Sequence, residues 1–237
     1  MLNSSFVRKL GIGTTKSVPK MAQELIYEVA KIDQRQELVD FIVDHFCRDE
    51  PISRSLNMSR ENSVNLVNGL VDEGLSKPIS FVCLNKDRKI VGCRLNALID
   101  KDDQNNRQEN RKENRQNHSK IELFIENFLE KLGENFDQNL EGCRKYLKFI
   151  LVSVDANYQR RGIATKLIEL SIAKAKEIGC QFIAVAATAN RSQKMFQKLG
   201  FQKIKSIMHE NYLDENGQQI FKCDDGTNCG EFYVLKL

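Results

Sequence analysis

The stretch from Tyr146 to Val154 is mostly apolar with little alternation, and it leads through a glycine-containing turn into an amphipathic helix at Ile163 to Ile178. A second apolar segment, Phe182 to Ala187, follows with the length of a strand. Strand, helix and strand at this spacing form a right-handed crossover, so the two strands are predicted to run parallel. The mostly apolar character of the first strand indicates a central position, covered on both faces.

The flanking sequence predicts antiparallel strands and further helices. The runs Ile79 to Leu84 and Lys89 to Leu98 flank a turn-rich tetrapeptide and are typical of a hairpin of two half-buried strands. Other strands are predicted at Glu24 to Ile32, from Phe201, and at Glu231 to Lys236, and other helices at Asn62 to Leu75, Ile121 to Gly133 and Ser192 to Leu199. The fold class is therefore α/β in the broad sense (α+β), with about seven strands in a mixed, mostly antiparallel sheet and helices on both faces.

One more helix is predicted near the start of the chain, with Asp33 as its N-cap and Gln34 close to its first turn. Its inner face recurs at steps of three and four residues and consists of Leu38, Phe41, Ile42, His45 and Phe46. Pro51 ends this helix, which places Asp49 and Glu50 at its exit.

The domain organisation is one folded domain, residues 24–237, with two polar additions. Residues 1–23 form a basic tail that is expected to be disordered, with a mitochondrial transit peptide as the alternative. Residues 100–119 are almost wholly polar and are expected to be a disordered insertion, because they cannot bury enough apolar area to offset the entropy of ordering. An RNA-binding or partner-binding arm is the alternative for this insertion.

Composition excludes several classes of function. The net charge of +4 is modest and the basic residues are interleaved with acidic ones, so nucleic acid is not expected as a partner. The 7 cysteines are scattered without zinc-finger spacing, and Cys223 and Cys229 lack a second ligand pair, so no metal is expected. No run is long enough to span a bilayer. We expect a soluble protein without membrane partners, cytoplasmic or, alternatively, mitochondrial.

The turn after the first central strand, Gln159 to Ala164, has the chemistry of a phosphate-binding site. Gly162 allows the backbone to approach a ligand closely, and the first N–H groups of the following helix have no intrahelical partner. These groups point at an anion with the helix dipole behind them, while Arg160 and Arg161 add positive charge. In isolation the hexapeptide could equally be an ordinary glycine-containing turn.

In its context this turn resembles the acetyl-CoA signature Q/R-x-x-G-x-G/A of the GNAT acetyltransferases, which Gln159, Gly162 and Ala164 satisfy. The later segment from Ser192 to Gly200-Phe201 matches the same superfamily in order and spacing. The resemblance implies a GNAT fold in which the parallel strands splay apart at the acetyl-CoA site. It implies that a strand N–H polarises the thioester, and it assigns these cofactor-binding residues: Val152, Ser153, Val154, Gln159, Arg160, Arg161, Gly162, Ile163, Ala164, Thr165, Asn190 and Ser192.

A narrower resemblance involves the segment His45 to Ile52, which is similar to the F-x-x-D-E-P-L segment of insect-type arylalkylamine N-acetyltransferases. It implies that Glu50 accepts the proton of the amine through water, with Thr188 and Ser192 as assisting hydroxyls. Many GNAT enzymes have a Tyr acid where this chain has Phe196, so Thr188 or Ser192 would protonate the departing thiolate. The structural alternatives are a solvent-facing acidic pair for Glu50, a strand end for Thr188 and a helix start for Ser192.

These resemblances imply an acetyl-CoA-dependent enzyme that acetylates the primary amine of dopamine, tyramine, octopamine or a serotonin-like compound. The amine would attack directly within a ternary complex. The alternatives are a GNAT enzyme acting on a protein lysine or N-terminus, which needs an open groove, and a catalytically weak coenzyme A-binding module. We expect a monomer or a weak homodimer.

Overall fold

Seven strands build one mixed sheet in the computed structural model of the protein, which describes residues 24–101, 117–139 and 143–237. The strands are β1 (Ile26–Val29), β2 (Phe81–Leu84), β3 (Ile90–Asp100), β4 (Lys145–Val154), β5 (Phe182–Ala187), β6 (Gln202–Met208) and β7 (Cys229–Lys236). Their order across the sheet is β1-β2-β3-β4-β5-β7-β6. The predicted class and sheet are confirmed, although β1 is shorter than expected and β7 begins earlier than Glu231.

The strands β4 and β5 run parallel, as the strand–helix–strand spacing predicts. Their pairing begins at Tyr146–Phe182 and ends at Phe149–Val185. Beyond that pair, β4 continues alongside β3 and β5 continues alongside β7. The carboxyl ends of β4 and β5 therefore separate and leave an opening between them. Full coverage of β4 is not observed, because its residues alternate between buried and partly exposed.

Helices cover both faces of the sheet. They are α1 (Arg35–Phe41), α2 (Pro51–Ser55), α3 (Val64–Leu75), α4 (Lys120–Gly133), α5 (Ile163–Glu177) and α6 (Asn190–Lys198). The helices α1 and α3 pack on one face of β3 and β4, and α4 packs on β5 and β7. On the opposite face, α5 and α6 pack against a cluster that contains Phe149, Ile183 and Tyr233. The first residue of α6 lies two positions before the predicted Ser192.

A glycine in β3 sets how closely α5 approaches the sheet. A Cβ atom added at Gly92 would lie 2.9 Å from Cγ2 of Ile163, the first residue of α5. Ile163 is itself buried. The start of α5 is thereby fixed against β3 at the end of the opening between β4 and β5.

The first helix differs from its prediction in two ways. A 3-10 turn at Ile32–Gln34 precedes α1, so Asp33 lies inside that turn and is not an N-cap. After Phe41 the helix widens into a π-helix, Ile42–Cys47. The wider turn changes which residues face inward, so Val43 and Cys47 are buried while His45 and Phe46 are only partly buried. A regular period of 3.6 residues could not predict this change.

The hairpin of β2 and β3 is present, but the prediction that its strands are half-buried is wrong. All four residues of β2 and the first nine of β3 are buried. The polar residues of β3 are buried as well, since Arg94 and Asn96 are 1% and 0% exposed. The side-chain amide of Asn96 donates hydrogen bonds to the carbonyl of Ile79 at 2.7 Å and to Ser171 Oγ at 2.9 Å.

Both ends of the predicted polar insertion lie in or beside regular secondary structure. Asp100 is the last residue of β3, and Ser119 is the N-cap of α4 in a capping box with Glu122. The carboxylate of Glu122 accepts hydrogen bonds from the N–H groups of Ser119 at 2.7 Å and Leu66 at 2.8 Å, and so joins the starts of α4 and α3. The predictions of disorder for residues 102–116 and for the tail at 1–23 fall outside the described residues.

Candidate active site

The turn before α5 has an open, strongly curved backbone. Gly162 is the N-cap of α5 with φ of 76°, and no side chain caps the helix there. Arg160 also adopts the left-handed conformation, with φ of 61°. The first intrahelical hydrogen bond runs from Lys166 N to the carbonyl of Gly162. The N–H groups of Ile163, Ala164 and Thr165 precede that bond, and a left-handed residue beside them arranges such groups as an anion-binding concavity.

The positive side chains of this turn lie at the surface. Gln159, Arg160 and Arg161 are exposed, and the guanidinium of Arg161 lies 4.8 Å from the centre of the Tyr158 ring. The side-chain amide of Gln159 donates to the carbonyl of Val154 at 3.4 Å, which ties the turn to the end of β4. The structure thus brings the predicted signature residues together beside the opening.

A β-bulge shapes the edge of β4 at this opening. Phe149 is opposite Asn96 of β3, and Leu151 is opposite Leu95, so Ile150 is an extra residue without a partner on β3. The bulge lies where the pairing with β5 ends. Residues 152–154 therefore pair with β3 on one edge and face the opening with the other. This is the position that the resemblance assigns to the cofactor-binding strand.

Glu50 lies buried beside the end of β5 and is 7% exposed. Its Oε1 accepts a hydrogen bond from Thr188 Oγ1 at 2.7 Å. Its Oε2 accepts from both the N–H and the Oγ of Ser53, each at 2.8 Å, so the carboxylate is also the N-cap of α2. The interpretation of Glu50 as one of a solvent-facing acidic pair is therefore wrong, whereas Asp49 does contact Arg48 at the surface.

Burial raises the pKa of Glu50 above its ordinary value, because the charged form is removed from water. The hydrogen bonds from Ser53 and Thr188 lower the pKa and so oppose part of that rise. A carboxylate with a raised pKa is better matched to accepting a proton near neutral pH than an exposed one.

The two candidate hydroxyl groups have different partners. Thr188 directs its O–H to Glu50, whereas Ser192 Oγ donates to the carbonyl of Ala189 at 2.8 Å in the first turn of α6. The N–H of Asn190 donates to Thr227 Oγ1 at 3.2 Å. Phe196 is 1% exposed and packs against Phe201, so it contributes no polar group.

The segment between β6 and β7 covers the Glu50 side of the site. Arg54 of α2 forms an ion pair with Asp224 of this segment. A cavity of about 370 Å³ beside it is lined by Met208, His209, Phe221, Cys223, Thr227 and neighbouring residues.

Sequence reasoning missed Ser53, Arg54, Asp224 and Thr227. The sequence Glu50-Pro51-Ile52-Ser53 was a local signal for a capped helix, because an acidic N-cap precedes a proline at the first helical position. No sequence pattern linked Arg54 to Asp224 or Asn190 to Thr227, which are distant in the chain.

Cys223 is the cysteine of the segment between β6 and β7 that lines the cavity. The Sγ of Cys223 lies 3.7 Å from Nδ1 of His209, and burial raises the pKa of the thiol to about 12. At neutral pH the thiol is therefore protonated and a poor nucleophile. Within residues 24–101, 117–139 and 143–237 there is no cluster of three potential metal ligands and no helix of the length and apolarity that crossing a bilayer requires.

Comparisons with known proteins agree with this geometry. The model of the Acetyltransferase (GNAT) family matches residues 70–201, more than half of the chain. A comparison with curated proteins finds no sequence match.

Solved structures share the fold. Arylalkylamine N-acetyltransferase 2 from Aedes aegypti is similar at a TM-score of 0.78 and 24% identity, over 90% of this chain and 98% of that chain. A Drosophila melanogaster polyamine N-acetyltransferase that forms N-acetylagmatine is similar at a TM-score of 0.74 and 19% identity, over 90% of this chain and 100% of that chain. An agmatine N-acetyltransferase is similar at a TM-score of 0.75 and 18% identity, over 90% of this chain and 99% of that chain.

Proposed function

The chain belongs to the GNAT family of acetyltransferases, and from this premise we propose that it transfers the acetyl group of acetyl-CoA to the primary amine of a small arylalkylamine such as dopamine, tyramine, octopamine or serotonin. The observation that carries this proposal is the buried Glu50–Thr188 contact at the end of β5. It brings a carboxylate with a raised pKa to the opening where a thioester would enter.

In this proposal the acyl donor lies along the opening between β4 and β5. The diphosphate sits on the N–H groups of residues 160–165, with Gln159, Arg160 and Arg161 around it. The pantetheine arm lies along the free edge of β4 at residues 152–154, and Asn190 and Ser192 line its other side. Two features support this arrangement: no side chain caps the start of α5, and the pairing of β4 with β5 ends before residues 152–154.

Glu50 acts as the general base in the proposed reaction. An alkyl amine is mostly ammonium at neutral pH, and it must lose a proton before its lone pair can attack. The Oγ of Thr188 keeps lone pairs that can accept from the amine or from a water, while its own proton points at Glu50. A proton can therefore pass from the amine to the carboxylate by one of two routes, either through a water molecule or through the hydroxyl of Thr188.

Both hydroxyl groups already donate a hydrogen bond, Thr188 to the carboxylate of Glu50 and Ser192 to the neutral carbonyl of Ala189. We assign Ser192 to the departing thiolate, because a bond to a neutral carbonyl is given up more easily than one to a carboxylate. The amine nitrogen forms a bond to the carbonyl carbon and the carbon–sulphur bond breaks. Glu50 takes the proton that the ammonium loses before attack and passes it to solvent. The proton that the nitrogen loses after attack goes to the thiolate through Ser192 or through a water that Ser192 orients, so the Ser192 hydroxyl is restored. An N–H at the β4 edge donates to the carbonyl oxygen as negative charge develops on it.

The cover over the Glu50 side supports a small amine as the acceptor. A protein substrate needs an open groove, whereas the Arg54–Asp224 ion pair connects α2 to the segment between β6 and β7 across this side. The cavity of about 370 Å³ beside this segment has the size typical of small-molecule sites.

A thiol-release assay with acetyl-CoA and a panel of acceptors tests the proposal. Dopamine, tyramine, octopamine and serotonin are compared with agmatine, with lysine-containing peptides and with peptides that have a free N-terminus. We expect turnover with the arylalkylamines at a kcat/KM well above that of any peptide. Preference for a peptide would assign the chain to protein acetylation, and donor binding without amine-dependent thiol release would indicate a binding module.

A further inference from the structure

Arg94 of β3 is a buried arginine whose side chain has two donors that remain unpaired within the described residues. It is 1% exposed and is the largest of the fully buried side chains. Its Nε and Nη2 donate to no atom of the described residues. Buried polar groups in native proteins nearly always have partners, and an unpaired charged donor is especially unfavourable. A group left in this state requires an explanation.

The charge of Arg94 also lacks a counter-ion in the described part of the chain. Burial lowers the pKa of Arg94 well below its ordinary value, and among titratable groups only the thiol of Cys93 opposes this effect. The delocalised guanidinium keeps its proton at neutral pH because its ordinary pKa is so high. The ring of Phe149, 3.7 Å from the guanidinium carbon, provides a cation–π contact but accepts no strong hydrogen bond.

The location of Arg94 connects it with the opening between β4 and β5. Arg94 is directly opposite Val152 in the pairing of β3 with β4. The guanidinium lies over Phe149, the last residue of β4 that pairs with β5. Gly92, two positions earlier and thus on the same face, contacts the first residue of α5. The unpaired donors therefore lie at the narrow end of the opening, on the face where α5 begins.

We propose that Arg94 binds the acyl donor, donating hydrogen bonds to an oxygen of its thioester end. This inference rests on the proposed function, because it requires an acyl-CoA in the opening. The acceptor oxygen is either a carbonyl of the acetyl-pantetheine unit or a carboxylate at the end of a longer acyl chain. A guanidinium fork fits a carboxylate with two parallel hydrogen bonds, so an acyl group of the succinyl type would be bound by the same residue.

Calorimetry with CoA, acetyl-CoA and succinyl-CoA on wild type, R94M and R94K tests this inference. We expect R94M to weaken acetyl-CoA binding about 10- to 100-fold, the range for losing a hydrogen bond to a charged donor. If R94M loses as much affinity for CoA as for acetyl-CoA, the contact is with the pantetheine carbonyls. If it loses more affinity for succinyl-CoA than for acetyl-CoA, the contact is with the terminal carboxylate. R94K, which keeps the charge without the fork, should recover part of the affinity.

Thermal unfolding of the ligand-free variants separates binding from a structural role. We expect R94M to be at least as stable as wild type without ligand, because an apolar side chain of similar length removes an unpaired buried charge. R35M is the matched control, since Arg35 lies in α1 and pairs with Asp72 at the surface. If R94M binds all three ligands like wild type, the inference is wrong. If wild type binds no CoA, the proposed function fails instead.

Discussion

Thr188 donates a hydrogen bond of 2.7 Å to Glu50, joining two residues that are 138 positions apart in the chain. One follows β5 and the other precedes α2, so the contact exists only when the sheet and the first helices are assembled. It places the candidate base and a hydroxyl group at the same end of β5. The following predictions test what this contact and its surroundings do.

The first prediction concerns Glu50. E50Q should lower kcat/KM for dopamine about 100-fold at pH 7, within the usual range for a general base. The raised pKa means that wild-type activity falls as the pH drops through that value and the carboxylate takes up a proton. The loss in E50Q should therefore shrink toward pH 10, where the amine is already neutral. Steady-state rates from pH 6 to 10 measure this.

D49N, at the exposed neighbour, should behave like wild type, and an unchanged E50Q profile would refute the role.

The second prediction concerns Thr188. Its hydrogen bond lowers the pKa of Glu50, so T188V should raise that pKa further. The acidic limb of the kcat/KM profile should then shift to higher pH, while T188S, which keeps the hydroxyl, should stay close to wild type. The measurement is the same pH series. A uniform fall in rate without a shift of the limb would show that Thr188 does not act through Glu50.

The third prediction concerns Gly92. A methyl group in G92A would lie 2.9 Å from Ile163 Cγ2 and push the start of α5 away from β3. Overpacking of this kind should weaken acetyl-CoA binding roughly threefold to tenfold. Calorimetry provides the value. G69A is the matched control because an added Cβ there meets no atom within 4 Å. Unaltered affinity in G92A would mean that the start of α5 does not position the ligand.

The fourth prediction concerns Glu122. E122A removes the acceptor for the buried N–H group of Leu66 and the partly buried N–H group of Ser119. We expect a loss of about 2 kcal/mol in the free energy of unfolding, or roughly 4–8 °C in Tm, because these groups are left unpaired. The value of kcat at low temperature should not change. E169A, at an exposed position of α5, should unfold like wild type. Equal melting temperatures for E122A and wild type would contradict this role.

The donor half of the candidate site was predictable because its signals are local. The apolar strand, Gly162 and the amphipathic helix follow one another within about thirty residues, and each has a physical meaning of its own. The acceptor half depends on contacts between distant segments. Glu50 was proposed through a resemblance, but its burial and its contact with Ser53 could not be deduced from the pattern, and the pairing of Arg54 with Asp224 left no trace in the sequence.

Two errors have a common cause. The strand that contains Arg94 and Asn96 was predicted to be half-buried, because hairpin strands commonly have one exposed face. In the structure, both faces of β3 are covered by helices, and only the tertiary arrangement provides the partners of Asn96. The π-helix after Phe41 likewise follows from packing and not from residue preference.

The N-cap of α2 is the same carboxylate that is proposed to take up a proton in every turnover. Each catalytic cycle would therefore weaken and restore the hydrogen bond that holds the first turn of α2. Since Arg54 extends from that helix to Asp224, the protonation state of the base would be transmitted to the segment between β6 and β7. Product release and proton balance would then be linked through a single turn of helix.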